Sequence, residues 1–370
     1  MFKCVMGVVG SSLTFLLVLS ILIITHELGH LIAARLNGVF VEAFSIGMGP
    51  VLFEKTDSKG LKWRISLIPI GGYIKMFGDA DISSVKETIP IGFTEDDMER
   101  MSIHRKKPWQ KLIVALGGPL FNLIFAVFVL FFFAIINGVP QSNNIISVQD
   151  ESSVAYTSGL RDGDAILIAN DKKISTFVDF MNQIVESHGK ILKIKYKRGE
   201  EIRDVEIKMY EEKDGETVPI KLLGVTQSTK HMSYKKLTSL DGIVFAISTT
   251  VTFSINNIKS ILKIVTGETS VKSVGGIISI AKISASSAEA GIANFVWILA
   301  MLSIMLGSVN LLPIPVLDGG TIVISAIEWI IGRQLNKKVV ETVFMVGLVI
   351  VAALMLIGIW NDLSNCKLFR

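Results

Sequence analysis

Four stretches of the chain are apolar enough and long enough to cross a bilayer: residues 6–36, 112–136, 292–312 and 339–360. Each meets or exceeds the roughly 20 residues that a helical span requires. The first follows Lys3 and so imitates a secretory signal, but it is long for one and no small-residue cleavage site follows, which predicts a retained helix. Between the first two spans the chain turns polar. Residues 39–44 and 63–68 alternate partially and predict strands. The run Gly71-Gly72-Tyr73-Ile74-Lys75-Met76 reads as a turn and a short extended piece, with an ordinary solvated loop as the alternative. Residues 79–100 are acidic and aperiodic, which predicts a mobile loop.

After the second span the apolar runs shorten. Residues 145–148, 165–168, 191–196 and 205–208 read as strands. Residues 177–187 read as a helix with Phe177, Phe180, Met181 and Ile184 on one face. Turns at Ser158-Gly159-Leu160-Arg161-Asp162-Gly163-Asp164 complete one small β-rich domain, and His188 and His231 read as surface residues near its loops. Residues 239–265 are apolar but broken by Asn256, Asn257, Lys259 and Lys263, which suits a helix lying in the interface, a true span being the alternative. Residues 267–290 read as a loop, with a re-entrant one as an option.

The fold class is therefore a polytopic α-helical membrane protein of about four spans, with a membrane-associated β-loop and an inserted β-rich domain. The expected divisions are span one at 1–37, the β-loop region at 38–110, span two at 111–138 and the β-rich domain at 139–228. An interfacial helix and loop at 229–290 follow, then span three at 291–331, a basic loop at 332–338, span four at 339–361 and a tail at 362–370. Composition agrees: of 370 residues, 50% are hydrophobic and only 19% charged, with mean hydropathy +0.54, outside the range of a soluble domain. A net charge of +4 is too small to suggest nucleic acid as a partner. Cys4 and Cys366 stand at opposite ends and form neither a disulfide framework nor a CxxC site.

Topology follows from the basic residues. Lys55, Lys59, Lys62, Arg64 and Arg105-Lys106-Lys107 lie between spans one and two, and Arg333, Lys337 and Lys338 between spans three and four. Lys and Arg mark the cytoplasmic side of short loops, so both loops are expected inside and the β-rich domain outside.

The chemistry lies in His26-Glu27-Leu28-Gly29-His30, at the end of the first span. Residues four apart share a helix face, so His26 and His30 can hold one metal ion. Two neutral imidazoles suit zinc and leave room for one more protein ligand and a water, whose proton Glu27 can reach. Ionisable groups beside hydrocarbon are costly, which argues against a chance match. Asn310-Leu311-Leu312-Pro313-Ile314-Pro315-Val316-Leu317-Asp318-Gly319-Gly320 ends the third span, and its prolines interrupt the helix. Asp318 has no Lys or Arg nearby in sequence and reads either as the third ligand or as a helix N-cap. The topology puts His26, His30 and Asp318 at similar depth. Gly117-Gly118-Pro119 would loosen or kink the second span, and with Asn122 it reads equally as close helix packing or as part of the site.

Together these residues resemble the bacterial site-2 proteases, the intramembrane zinc metalloproteases of the RseP and RasP type. The resemblance rests on HELGH, GGYIKMFGD, GGPLFN and NLLPIPVLDGG and covers nearly the whole chain. It implies a Zn2+ ion held by His26, His30 and Asp318, with Glu27 as general base. It implies a substrate-backbone contact at Asn310, and a membrane-reentrant β-loop (Gly71, Gly72, Tyr73, Ile74, Lys75) that pairs with the substrate as an added strand. Asn122 joins the candidate substrate-binding residues. The β-rich domain resembles a single PDZ domain, as in the RasP-like form. The implied substrates are single-span membrane proteins already trimmed outside, such as anti-sigma factors or remnant signal peptides. The implied location is the bacterial cytoplasmic membrane, with the active site toward the cytoplasm. Gly276 stands where the family usually has proline. Two rivals remain: a prenyl-protein endopeptidase taking Glu328 or Glu341 as third ligand, and a non-enzymatic scaffold or metal carrier.

Overall fold

The computed structural model describes residues 2–78, 94–141, 143–148, 150–151, 153–187, 190–213, 216–219, 223–228, 233–268 and 276–365. His188, His231 and most of the acidic stretch, 79–93, lie outside them. In order, the chain forms α1 (Phe2–Leu36), β1 (Val41–Thr56), β2 (Lys62–Met76), α2 (Glu95–Met101) and α3 (Pro108–Ile136). Then come β3 (Val139–Gln141), β4 (Ile146–Val148), α4 (Val154–Thr157), β5 (Ala165–Ala169), β6 (Lys172–Lys173), α5 (Phe177–Glu186), β7 (Ile191–Arg198) and β8 (Glu201–Lys208). β9 (Tyr210–Lys213), β10 (Glu216–Pro219), β11 (Val225–Gln227) and β12 (Ser233–Lys235) follow. The chain closes with α6 (Ser239–Val265), α7 (Ile277–Glu289), α8 (Ile292–Asn310), α9 (Asp318–Ile331) and α10 (Lys337–Asn365). Residues 1–135 and 238–370 form one compact unit and 136–237 a second.

Among the described residues of the first unit, four helical segments are long and apolar enough to cross a membrane: Thr14–Leu36, Pro108–Ile136, Ile292–Asn310 and Lys338–Asp362. α1 and α3 meet through glycine. A Cβ on Gly29 would strike the Gly117 carbonyl oxygen, and one on Gly117 would lie 2.6 Å from the Gly29 carbonyl oxygen. The two backbones approach as closely as only small residues permit. α3 runs unbroken through Pro119. One core cluster joins α1, α3 and α8 through Val18, Leu22, Leu299 and Phe125. Another joins α3, α6 and α8 through Ala126, Leu130, Ala246, Ala300 and Ile304.

β1 and β2 are longer than the sequence pattern suggests, and each is folded on itself. Phe44 lies opposite both Ile74 and Trp63, and Ser45 opposite both Tyr73 and Arg64, so residues 43–46 are flanked on both sides by β2. The expected turn at Gly71-Gly72 falls inside β2 rather than in a separate loop: residues 62–65 run parallel to 43–46 on one side and residues 72–75 antiparallel on the other, so β2 reverses between them. The chain also reverses earlier, between β1 and β2, where the Asp57 carboxylate accepts the N–H groups of Lys59 (2.8 Å) and Leu61 (3.0 Å). Gly71, at φ +88°, stands where β2 doubles back.

Two segments read as loops are helical. α2 replaces the end of the acidic loop, because Thr94 and Asp97 form a reciprocal cap (Asp97 N–H to Thr94 Oγ1, 3.2 Å; Thr94 N–H to Asp97 Oδ2, 3.0 Å). α7 replaces the second half of the 267–290 loop. Its cap comes from a distant residue: the Asp362 carboxylate, on α10, accepts the N–H groups of Gly276 (3.0 Å), Ile278 (2.9 Å) and Ser279 (3.1 Å), and also the Ser279 hydroxyl.

In the second unit a four-stranded antiparallel sheet runs in the order β6-β5-β7-β8, beside the pairs β4–β11, β3–β12 and β9–β10. Leu160, Ile166, Phe180, Leu192, Ile194, Ile207 and Met209 form its core. α5 opens on a capping box between Thr176 and Asp179. The fully buried Asp164 carboxylate takes two hydrogen bonds from the Arg198 guanidinium (2.7 and 2.8 Å) and one from the Arg161 N–H (2.8 Å).

Candidate metal centre

Three donors from two distant parts of the chain converge. His26 and His30 lie one turn apart on α1, which puts their rings on one face. Asp318 is the first residue of α9, and what brings it there is the loop before it. Leu311 caps α8, and a short turn closed by Leu317 N–H to the Ile314 carbonyl (3.1 Å) precedes the first residue of α9. Val316 is held at φ +85°, a strained conformation for a β-branched residue. Gly319 and Gly320 let the new helix start against this loop: a Cβ on Gly320 would lie 2.7 Å from Pro315 Cα, and one on Gly319 would overlap the Leu312 carbonyl. The Asp-Gly-Gly run is thus a packing requirement as well as a chemical one. The N-cap of α9 is Leu317, and the Asp318 carboxylate points to the histidines.

His26 Nε2 lies 3.1 Å from Asp318 Oδ2, His30 Nε2 lies 3.2 Å from Asp318 Oδ1, and the two Nε2 atoms are 3.2 Å apart. These are close to the edges of a zinc tetrahedron, where ligands about 2.0–2.1 Å from the ion stand roughly 3.3 Å from one another. The protonation pattern points the same way. His30 Nδ1 lies 2.8 Å from the Val114 carbonyl oxygen. A carbonyl only accepts, so Nδ1 carries the proton and, in the neutral ring, Nε2 presents a lone pair. That lone pair faces a carboxylate and a second imidazole, a convergence of negative density that a cation relieves. Among the described residues this is the only trio of His, Cys, Asp and Glu so placed.

Glu27 is one residue round the helix and lines the same cavity of about 430 Å³, with His26, His30, Asp318, Tyr73, Ile74, Lys111, His104 and Thr321. Ile74 lines the cavity beside it, and a Cβ on Gly72 would lie 3.8 Å from Glu27 Cγ. The β2 segment thus runs beside the acid. Of the other candidate residues, Asn310 ends α8, half-buried. Lys75 pairs with Glu42 at 3.2 Å. Asn122 is 0% exposed on α3, with its amide 3.2 Å from His26 Nδ1. Glu328 is engaged elsewhere, 3.6 Å from Lys111 Nζ and accepting from the Leu335 N–H (3.0 Å). Sequence reasoning missed Val114, whose contribution is a backbone carbonyl and leaves no side-chain signal, and Lys111 and Thr321, which only the packing brings to the cavity.

Comparison with known proteins identifies the family. Residues 14–354 match the model of peptidase family M50. A Campylobacter jejuni protein bearing the name "Putative zinc metalloprotease" is 35% identical, over 98% of this chain and 96% of its own length. A Rickettsia conorii protein of the same designation is 34% identical (96% and 99%), and one from Agrobacterium fabrum 31% identical (96% and 96%). The chain belongs to peptidase family M50 and is a zinc-dependent metalloprotease of the site-2 protease type.

Proposed function

We propose that the protein cuts peptide bonds within or near the transmembrane segments of single-span membrane proteins, as an intramembrane protease of the bacterial cytoplasmic membrane. One observation carries this reading. The His26–His30–Asp318 cluster and Glu27 sit on helices in or adjoining segments apolar enough to span a membrane, beside an extended strand.

In this reading His26, His30 and Asp318 hold the zinc. When bound there, zinc polarises the scissile carbonyl and lowers the pKa of a water from about 15.7 toward 7. Glu27 takes the proton from the attacking water and returns it to the leaving amine. A transmembrane helix hides its peptide bonds in its own hydrogen bonds, so the substrate has to unwind first. Residues Gly71 to Lys75 would receive the unwound stretch as an added strand, and Asn310 would hold its backbone. The 136–237 unit would act as a PDZ-like filter outside the membrane, admitting substrates already trimmed there, such as anti-sigma factors or remnant signal peptides. Basic residues flanking the spans support a cytoplasm-facing site.

The test is cleavage of a single-span substrate with its ectodomain intact or removed, in detergent and in vesicles. Cutting only of the trimmed form, at a bond inside the apolar segment, is expected. Cutting only outside it would refute the intramembrane reading.

A further inference from the structure

The two histidines are held differently. His30 is fixed by the Val114 carbonyl, which leaves no choice of proton position. His26 is fixed by a side chain, Asn122, four residues beyond Gly118 on α3. As placed, the Asn122 amide nitrogen lies 3.2 Å from His26 Nδ1, while Asn122 Oδ1 is buried with no hydrogen-bond partner among the described residues. That orientation forces Nδ1 of His26 to accept, which in the neutral ring puts the proton on Nε2, the atom facing Asp318 and His30. A protonated Nε2 cannot bind a metal.

An amide's oxygen and nitrogen are distinguished only through their hydrogen bonds. Rotated by 180°, Asn122 presents Oδ1 to His26. Nδ1 then donates, Nε2 is left bare, and both histidines carry the same tautomer. As placed, Oδ1 has no partner among the described residues, so the rotation breaks no hydrogen bond on that side. The amide is itself anchored: the Ser303 hydroxyl, on α8, donates to the Asn122 backbone carbonyl (2.8 Å), and both residues are 0% exposed. Asn122 is not among the residues lining the cavity.

We propose that Asn122 is a positioning residue that accepts the Nδ1 proton of His26 and so readies Nε2 for zinc. The proposal rests on the reading of His26, His30 and Asp318 as ligands. Groups of this kind behind a ligating histidine typically change metal affinity 10- to 100-fold.

The test measures zinc affinity of the full chain in detergent by competition with a chromogenic chelator, and thermal unfolding of each metal-free protein. Asn122→Leu, which has no acceptor, should lose 10- to 100-fold in affinity. Asn122→Asp keeps an acceptor and removes the donor, so it should stay within a few-fold of wild type. If Asn122→Asp falls as far as Asn122→Leu, the nitrogen faces His26 and the proposal is overturned. Wild-type affinity in a folded Asn122→Leu overturns it too. If Asn122→Leu does not fold, Asn122→Asp decides alone. An Asp318→Ala control separates the two readings: should it keep wild-type affinity, the ligand set fails and this proposal with it. Loss in Asp318→Ala with none in Asn122→Leu removes only the role of Asn122.

Discussion

Replacing Gly118 by alanine inserts a methyl group between the two imidazoles. A Cβ built there lies 2.7 Å from His26 Cε1 and 2.8 Å from His26 Nε2, and closer still to His30 Nε2. Ordinary contact begins near 3.4 Å, so the His26 ring would have to retreat by roughly 0.6–0.7 Å, the shortfall from van der Waals separation. Zinc sites tolerate departures of only about 0.2 Å from bonds of 2.0–2.1 Å. The rings cannot simply swing aside, since one is held by Val114 and the other by Asn122. Overpacking of this kind costs about 1–3 kcal/mol. Borne by the metal-bound state, that is roughly a 5- to 150-fold loss in zinc affinity at 1.4 kcal/mol per tenfold. The assay is chelator competition on the purified chain, with Gly242→Ala as control, because a Cβ at Gly242 meets its neighbours no closer than 3.4 Å. Unchanged zinc affinity in a folded Gly118→Ala protein would refute the placement of α3 against the histidines.

Other consequences are reached with simpler experiments. Gly276→Pro removes an N–H that donates to Asp362 and sets a ring against the Gly358 backbone. It should lower the thermal midpoint, by an amount equivalent to about 1–3 kcal/mol. Glu328→Gln should leave zinc stoichiometry unchanged, since Glu328 serves Lys111 and Leu335; loss of zinc would revive it as a ligand. Asp164→Ala strips the Arg198 guanidinium and the Arg161 N–H of their partner. It should cost about 2–3 kcal/mol, discounted from a fully buried pair because Arg198 is part exposed, and pulse proteolysis within residues 136–237 should read it.

What could be read from the sequence was whatever is encoded locally. HELGH needs only helical periodicity to bring its histidines together, and the four apolar runs need only length. The Thr94–Asp97 cap was also local, and it was overlooked because its surroundings are acidic and aperiodic. The rest depends on residues far apart in sequence. α7 begins where it does because Asp362, more than eighty residues later, supplies its cap. Gly71-Gly72 reads locally as a turn, and β2 does double back there; what its pattern does not show is that both arms lie against β1, with Ser45 opposite both Tyr73 and Arg64. The glycines of α3 offered two readings, helix packing and a part in the site, and the structure gives both. Gly117 meets Gly29 on α1, and Gly118 leaves room for the histidine rings.

The most direct measurement compares wild type, Glu27→Gln and Asp318→Ala for zinc content and for cleavage of a trimmed single-span substrate. Glu27→Gln should keep its zinc and lose cleavage by at least about 10²–10⁴-fold, the contribution of a general base. Asp318→Ala should lose both zinc and cleavage. Full zinc and full activity in Asp318→Ala would contradict the three-ligand site, and cleavage at the wild-type rate by Glu27→Gln would contradict the role of Glu27.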